Sequence, residues 1–117
     1  MRILILEDDP FIASDLQAIL EDDGHEVVGV FNSLADTYDH LEDDFDYALL
    51  DIDVIGGKSF GVAKALAERE IPFAFVSASQ PGDIPHSLRE AAFIPKPFEE
   101  RTIRQSIGET SSRSYSC

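Results

Sequence analysis

At 117 residues with a hydrophobic fraction of 44%, the chain has room for one domain with an ordinary core and excludes a second. Its formal charge of −14, from 23 acidic against 9 basic residues, excludes nucleic-acid binding by counterion release and makes a cation the more natural guest. The single cysteine, Cys117, excludes a disulfide framework or cysteine metal site and fits a reducing cytoplasmic setting, and no apolar run suits membrane insertion or an export signal.

Residues 2 to 9, RILILEDD, run through consecutive aliphatic residues and break abruptly into three acids, which reads as a buried strand ending in charge. Pro10 suits the first turn of a helix, along which Ile12, Leu16, Ile19 and Leu20 recur at helical spacing until Gly24 offers a left-handed stop. His25 to Phe31 is valine-rich and reads as the second strand. Ser33, with Asp36 three residues on, has the form of a capping box, and Leu34, Tyr38 and Leu41 are expected to face inward on the second helix.

The chain is organised around Phe45 to Gly57, FDYALLDIDVIGG. An uncharged run from Tyr47 to Leu50 delivers Asp51 to the carboxyl end of a central strand, and Gly56-Gly57 leads away from it. By itself an aspartate there opens a loop or caps a helix; it gains weight if other charges converge on it. Phe60, Ala63 and Ala67, with Val62 and Leu66 beside them, predict a third helix ending near Glu70, and Pro72 to Ser77 a fourth strand. Pro81, Gly82 and Pro85 then interrupt any helix, so Ile84, Leu88 and Ala91 predict only a short or irregular one. Ala92 to Pro95 is a brief fifth strand, Lys96-Pro97 a turn, and Glu99 to Gly108 a last helix, leaving 109–117 as a polar tail on a domain of residues 1–108.

Strands alternating with helices predict an α/β, three-layer sandwich around a five-stranded parallel sheet. Ligands of such sheets bind beyond the carboxyl ends of the strands where the winding reverses, so Glu7, Asp8 and Asp51 should meet there.

Taken in order, ILILEDDP, YALLDID, FVSAS and FIPKPF resemble the receiver domain of two-component response regulators, over residues 2 to about 107. The resemblance implies the flavodoxin-like strand order 2-1-3-4-5. It implies Asp51 as phosphoacceptor, Asp8 and Asp51 as direct magnesium ligands with the Asp53 backbone carbonyl, and Glu7 as a ligand through water. Ser77 and Lys96 match the residues that contact the phosphoryl group, while Ser77 and Phe93 match the switch pair. Asp9 reads as a solvated residue at a helix start, the Asp53 side chain as dispensable, and Phe93 alternatively as a plain core aromatic. The implied activity is not that of an enzyme: the chain takes a phosphoryl group from a histidine kinase or histidine phosphotransfer protein and assists its transfer and loss. It then signals to a downstream regulatory protein. Clustered carboxylates raise one another's proton affinity unless a divalent cation sits among them, and Mg2+ suits such an oxygen site.

Three departures from the family stand out. Ile55 replaces the usual proline after the phosphoacceptor, the stretch between Ser77 and Lys96 is short, and Phe93 lacks the hydroxyl of the commoner tyrosine. Proline-lacking receivers of this kind occur as single domains. Competing readings are a receiver-fold binding module or phosphate sink that does not switch, and a phosphatase resembling the haloacid dehalogenases, suggested by Asp51-Ile52-Asp53. A flavin module would need phosphate donors where the chain has Glu7-Asp8-Asp9.

Overall fold

Side chains alternate across a strand, and in the central strands both faces are apolar, so both must be covered. The computed structural model describes the backbone of residues 1–115 and the side chains of residues 1–108. Strands β1 (Arg2–Leu6), β2 (Glu26–Phe31), β3 (Tyr47–Leu50), β4 (Phe73–Ser77) and β5 (Ala92–Pro95) form one parallel sheet in the order β2-β1-β3-β4-β5. Helices α1 (Pro10–Asp22) and α4 (Glu100–Tyr115) cover one face, α2 (Leu34–Asp39) and α3 (Phe60–Glu68) the other. Ile3, Ile5, Tyr47 and Leu49 pack with Leu16, Leu20, Ile103 and Ile107 on one side. Leu4, Leu6, Ala48 and Leu50 pack with Val62, Ala63 and Leu66 on the other. Each fully buried aliphatic side chain contributes about 1.5–3 kcal/mol, so the sheet is fixed by its inner strands before any polar contact is counted.

The helix ends follow their local chemistry. Asp9 caps α1 by accepting from the amides of Phe11 and Ile12. At the other end Gly24, at φ 86°, donates to Glu21 while His25 donates to Leu20, the double closure that requires a left-handed residue. Ser33 caps α2 by accepting from the Asp36 amide at 3.2 Å.

Several local expectations change. On α2 the buried residue is Thr37, while Tyr38 is 48% exposed and lays its hydroxyl over Gly61, where any side chain would collide with it. Leu41 is buried, but after the helix has ended. Ala67 is exposed because the buried stripe of α3 runs through Val62, Ala63 and Leu66. Two 3-10 turns, Pro81–Asp83 and His86–Leu88, stand where a fourth crossover helix would be, and they still bury Ile84 and Leu88. The last helix does not stop at Gly108; its backbone continues to Tyr115, since glycine weakens a helix without blocking its hydrogen bonds as proline does. Of the expected tail, residues 116 and 117 lie outside the described residues.

One element was not foreseen. After β3, Asp53–Val54 and Gly57–Lys58 pair as a small antiparallel hairpin, whose turn uses Gly56 at φ 104° and Gly57 at φ 132°. Ile55, at its tip, is held to the β2–α2 turn by hydrogen bonds to Leu34 and Asn32. The loop in which the family carries proline is thus tied down by backbone pairing. Among the described residues no helix is long and apolar enough to cross a membrane.

Candidate functional site

Strand order decides what meets. From β1 the chain winds outward to β2 and returns to β3 on the opposite side, which opens a crevice beyond the carboxyl ends of β1 and β3. Leu6 pairs with Leu50, and the ladder runs one residue further: the Asp51 amide donates to Leu6 O at 2.8 Å and the Glu7 amide to Phe31 O at 2.8 Å. Glu7 and Asp51 therefore stand side by side, 2% and 7% exposed, with Asp8 at the solvent rim. One carboxylate oxygen from each of the three lies within 4.8 Å of the others.

The β4–β5 pairing brings up the rest. Ser77 pairs with Pro95, and the Lys96 amide donates to Ser77 O at 3.0 Å, so the buried Ser77 hydroxyl and the Lys96 side chain reach the same end of the sheet. The Lys96 ammonium lies 2.7 Å from Glu7 Oε1 and donates to Asp51 Oδ2 at 3.1 Å. The approach to Glu7 is an ion pair without an aligned hydrogen bond, so Oε1 stays buried with no directed donor. Burial pushes the Glu7 carboxyl up to about 7; Asp51 adds to the rise, while Lys96 and the Asp9 amide oppose it. Burial works to lower the Lys96 pKa, but its two carboxylate neighbours outweigh this and hold it above the ordinary lysine value.

Three carboxylates whose oxygens lie within 4.8 Å of one another, with Asp8 at the solvent rim, fit a hard divalent cation, which needs oxygen donors and open positions for water. A cavity of about 490 Å3 between α1 and the end of β2 is lined in part by Glu7, Asp8, Asn32 and Asp36, on the far side of the cluster from Lys96 and without Asp51 in its wall.

Asp53 is placed differently. Its carboxylate points to the Lys58 ammonium and accepts the Ser79 hydroxyl at 2.8 Å, and these two donors hold it below the usual aspartate range. It does not join the acid cluster of Glu7, Asp8 and Asp51. Sequence reasoning missed Lys58 and Ser79. The signal for Lys58 was present: opposite charges flank a glycine pair, as cross-strand partners of a tight hairpin do. Phe93 lies half-buried on β5, paired with Phe75 and packed against the core that includes Ile84 and Leu88.

A doubly wound α/β sheet with two acids buried at its switch point, a third at the rim, and a lysine and a buried hydroxyl facing them defines a receiver-type domain. The chain belongs to the response regulator receiver domain family, which it matches over residues 3–108. The phyllosphere-induced regulator PhyR of Methylorubrum extorquens is 32% identical over 113 residues, which is 92% of this chain but 42% of the relative. The chain thus spans less than half the length of that curated relative. Among solved structures, SdrG from Sphingomonas melonis Fr1 is 34% identical with a TM-score of 0.81, over 92% of this chain and 93% of SdrG. The response regulator PhyR from Brucella abortus is 26% identical with a TM-score of 0.79, over 98% of this chain and 51% of that one.

Proposed function

We propose that the domain accepts a phosphoryl group on Asp51 from a histidine kinase or histidine phosphotransfer protein and signals through protein binding that depends on it. The observation that carries this reading is the shared grip of Lys96 on Asp51 and Glu7 at the end of the central strands. An Asp51 oxygen attacks phosphorus in line; the P–N bond to the donor imidazole breaks, and its electron pair stays on the ring nitrogen. No general base is needed, since an ionised carboxylate is already a nucleophile. Lys96 and the Ser77 hydroxyl stabilise the phosphoryl oxygens, which is what this chemistry chiefly asks of a protein. Asp8, Asp51 and the Asp53 carbonyl would hold Mg2+ directly, with Glu7 acting through water. When bound, the ion neutralises charge on the phosphoryl oxygens.

Ser77, moving toward the phosphoryl group, leaves space between β4 and β5, and Phe93 is the side chain placed to fill it. The relatives called PhyR support a regulatory role for this domain, in which the face made by residues 80 to 107 is read by a partner protein. Residues 1–108 form the receiver unit in this reading, and the backbone of the last helix continues past it to Tyr115.

The test is mass spectrometry after incubation with magnesium and a phosphorylated histidine kinase. We expect a single phosphoryl adduct in the parent, lost in Asp51→Asn with the fold retained. Undiminished labelling of Asp51→Asn would overturn the assignment.

A further inference from the structure

Asp53 is engaged from two directions although it lies at the surface. One carboxylate oxygen takes the Lys58 ammonium from the facing strand of the hairpin, and the other accepts the Ser79 hydroxyl at 2.8 Å. The Ser79 amide in turn donates to the Ser77 hydroxyl oxygen at 3.2 Å. A continuous chain of polar contacts therefore runs from Lys58 through Asp53 and Ser79 to Ser77. It ties the hairpin after β3 to the segment after β4.

We propose that Asp53 is a positioning residue: acting through Ser79, it holds Ser77 in the resting arrangement and sets how readily that hydroxyl moves onto a phosphoryl group. The proposal rests on the reading of Asp51 as phosphoacceptor. Ser77 is 2% exposed and its hydroxyl oxygen accepts from the Ser79 amide at 3.2 Å, so moving that oxygen either gives up this bond or draws Ser79 along. Ser79 follows only by lengthening its bond to Asp53. A ligand shifts a conformational equilibrium by its differential affinity for the two states, and a bond made only at rest subtracts from that difference.

Lys58 acts with the opposite sign. It offsets the Asp53 charge, which otherwise adds to the repulsion that an incoming anion meets at an acidic site. Loss of the Ser79 hydroxyl should therefore ease the transition, and loss of the Lys58 charge should hinder it, although both break the same cluster. A strap that only holds the fold together would move both variants the same way.

The experiment titrates beryllofluoride, which stands in for the phosphoryl group, into the full chain with saturating magnesium. The proteins compared are the parent, Ser79→Ala and Lys58→Met, followed by calorimetry and by the Ser77 amide resonance. We expect Ser79→Ala to bind about 3-fold tighter or more, as fits loss of one hydrogen bond to a charged acceptor, and Lys58→Met to bind weaker. The Ser77 resonance of Ser79→Ala should sit closer to its bound position before any ligand is added. A parent that binds beryllofluoride while both variants match it, or shift together, overturns the proposal and leaves the Asp51 reading standing. A parent that takes neither beryllofluoride nor a phosphoryl group at Asp51 overturns both.

Discussion

The ammonium of Lys96 lies 2.7 Å from Glu7 Oε1 while it also donates to Asp51 at 3.1 Å, so one cation bridges two buried acids from distant parts of the chain. Removing it takes away the charge that opposes the rise in the Glu7 pKa, so at neutral pH Glu7 takes up a proton beside Asp51 where water reaches both poorly. Lys96→Met should lower stability at neutral pH by about 1–3 kcal/mol, less than a fully buried pair would lose because the lysine keeps some contact with solvent. Urea unfolding measures this. A midpoint equal to that of the parent would mean that the ion pair contributes nothing.

The same acids give the second prediction. Magnesium that binds only the folded chain raises the unfolding midpoint by mass action, and the rise grows with the logarithm of its concentration. Asp8 stands at the exposed rim, so Asp8→Ala should keep the fold and lose most of that rise. If Asp8→Ala responds to magnesium as the parent does, the cluster is only a solvated surface.

Sequence made the sheet and the acid cluster legible because both follow from local pattern: uninterrupted apolar runs for two-sided burial, each ending in a carboxylate. Alternation along Ile3 to Leu6 and Tyr47 to Leu50 does divide the core into its two faces. The family motifs added Ser77 and Lys96, which no periodicity would have joined. What stayed hidden depends on contacts between loops. The hairpin at Gly56-Gly57 is closed by Lys58 and Asp53 and steadied by the Asn32–Leu34 turn, and the Asp53 side chain gains its partners only when β4 brings Ser79 alongside. On α2, inward spacing favoured Tyr38, but a helix that ends at Asp39 offers too little face to bury it, and Thr37 takes the interior.

A third prediction concerns backbone strain. Glu70 ends α3 at φ 58°, with its amide on Ala67 O and the Ile71 amide on Leu66 O, the closure that Gly24 makes for α1. A side chain in this left-handed region costs roughly 1–2 kcal/mol, which glycine avoids at the expense of a more flexible unfolded chain. Glu70→Gly should therefore stabilise the domain by up to about 1 kcal/mol, read from the urea midpoint. A loss of stability would show that the Glu70 side chain makes up for its own strain.

His25 provides a pH dependence away from the site. Burial lowers its pKa below the ordinary histidine value, and the Met1 amine at 3.0 Å lowers it further, although Asp23 opposes both. The fold therefore prefers the neutral ring. This contribution is fully present above the unfolded value, about 6.5, and is lost as pH falls from there through the folded pKa, because the unfolded chain takes up the proton first. Over that window the parent should lose more stability than His25→Gln. Parallel stability curves for the two proteins would rule the effect out.

The last prediction separates a switch from a fixed binding module. Phe93 is half-buried on β5, opposite Phe75, and packs against the core that Ile84 and Leu88 complete from the two 3-10 turns. Those turns are closed by short-range backbone bonds and joined by the Arg89 side chain, which donates to Ile84 O and Gly82 O, so the segment can shift as a unit with what it packs against. If Ser77 withdraws toward a phosphoryl group, Phe93 can turn into the vacated space without straining its side chain, because another staggered rotamer is available. Its withdrawal from the surface would then shift Ile84 and Leu88, remodelling the face between residues 80 and 107 that a partner reads. We expect beryllofluoride to move the amide resonances of Ile84 and Leu88 in the parent. In Phe93→Ala the movement should stay confined to Ser77, Ala78 and Lys96, which the bound group touches or adjoins. Equal movement of Ile84 and Leu88 in both proteins would make Phe93 an ordinary core aromatic; no movement in the parent would make the domain a binding module or a reservoir for phosphoryl groups.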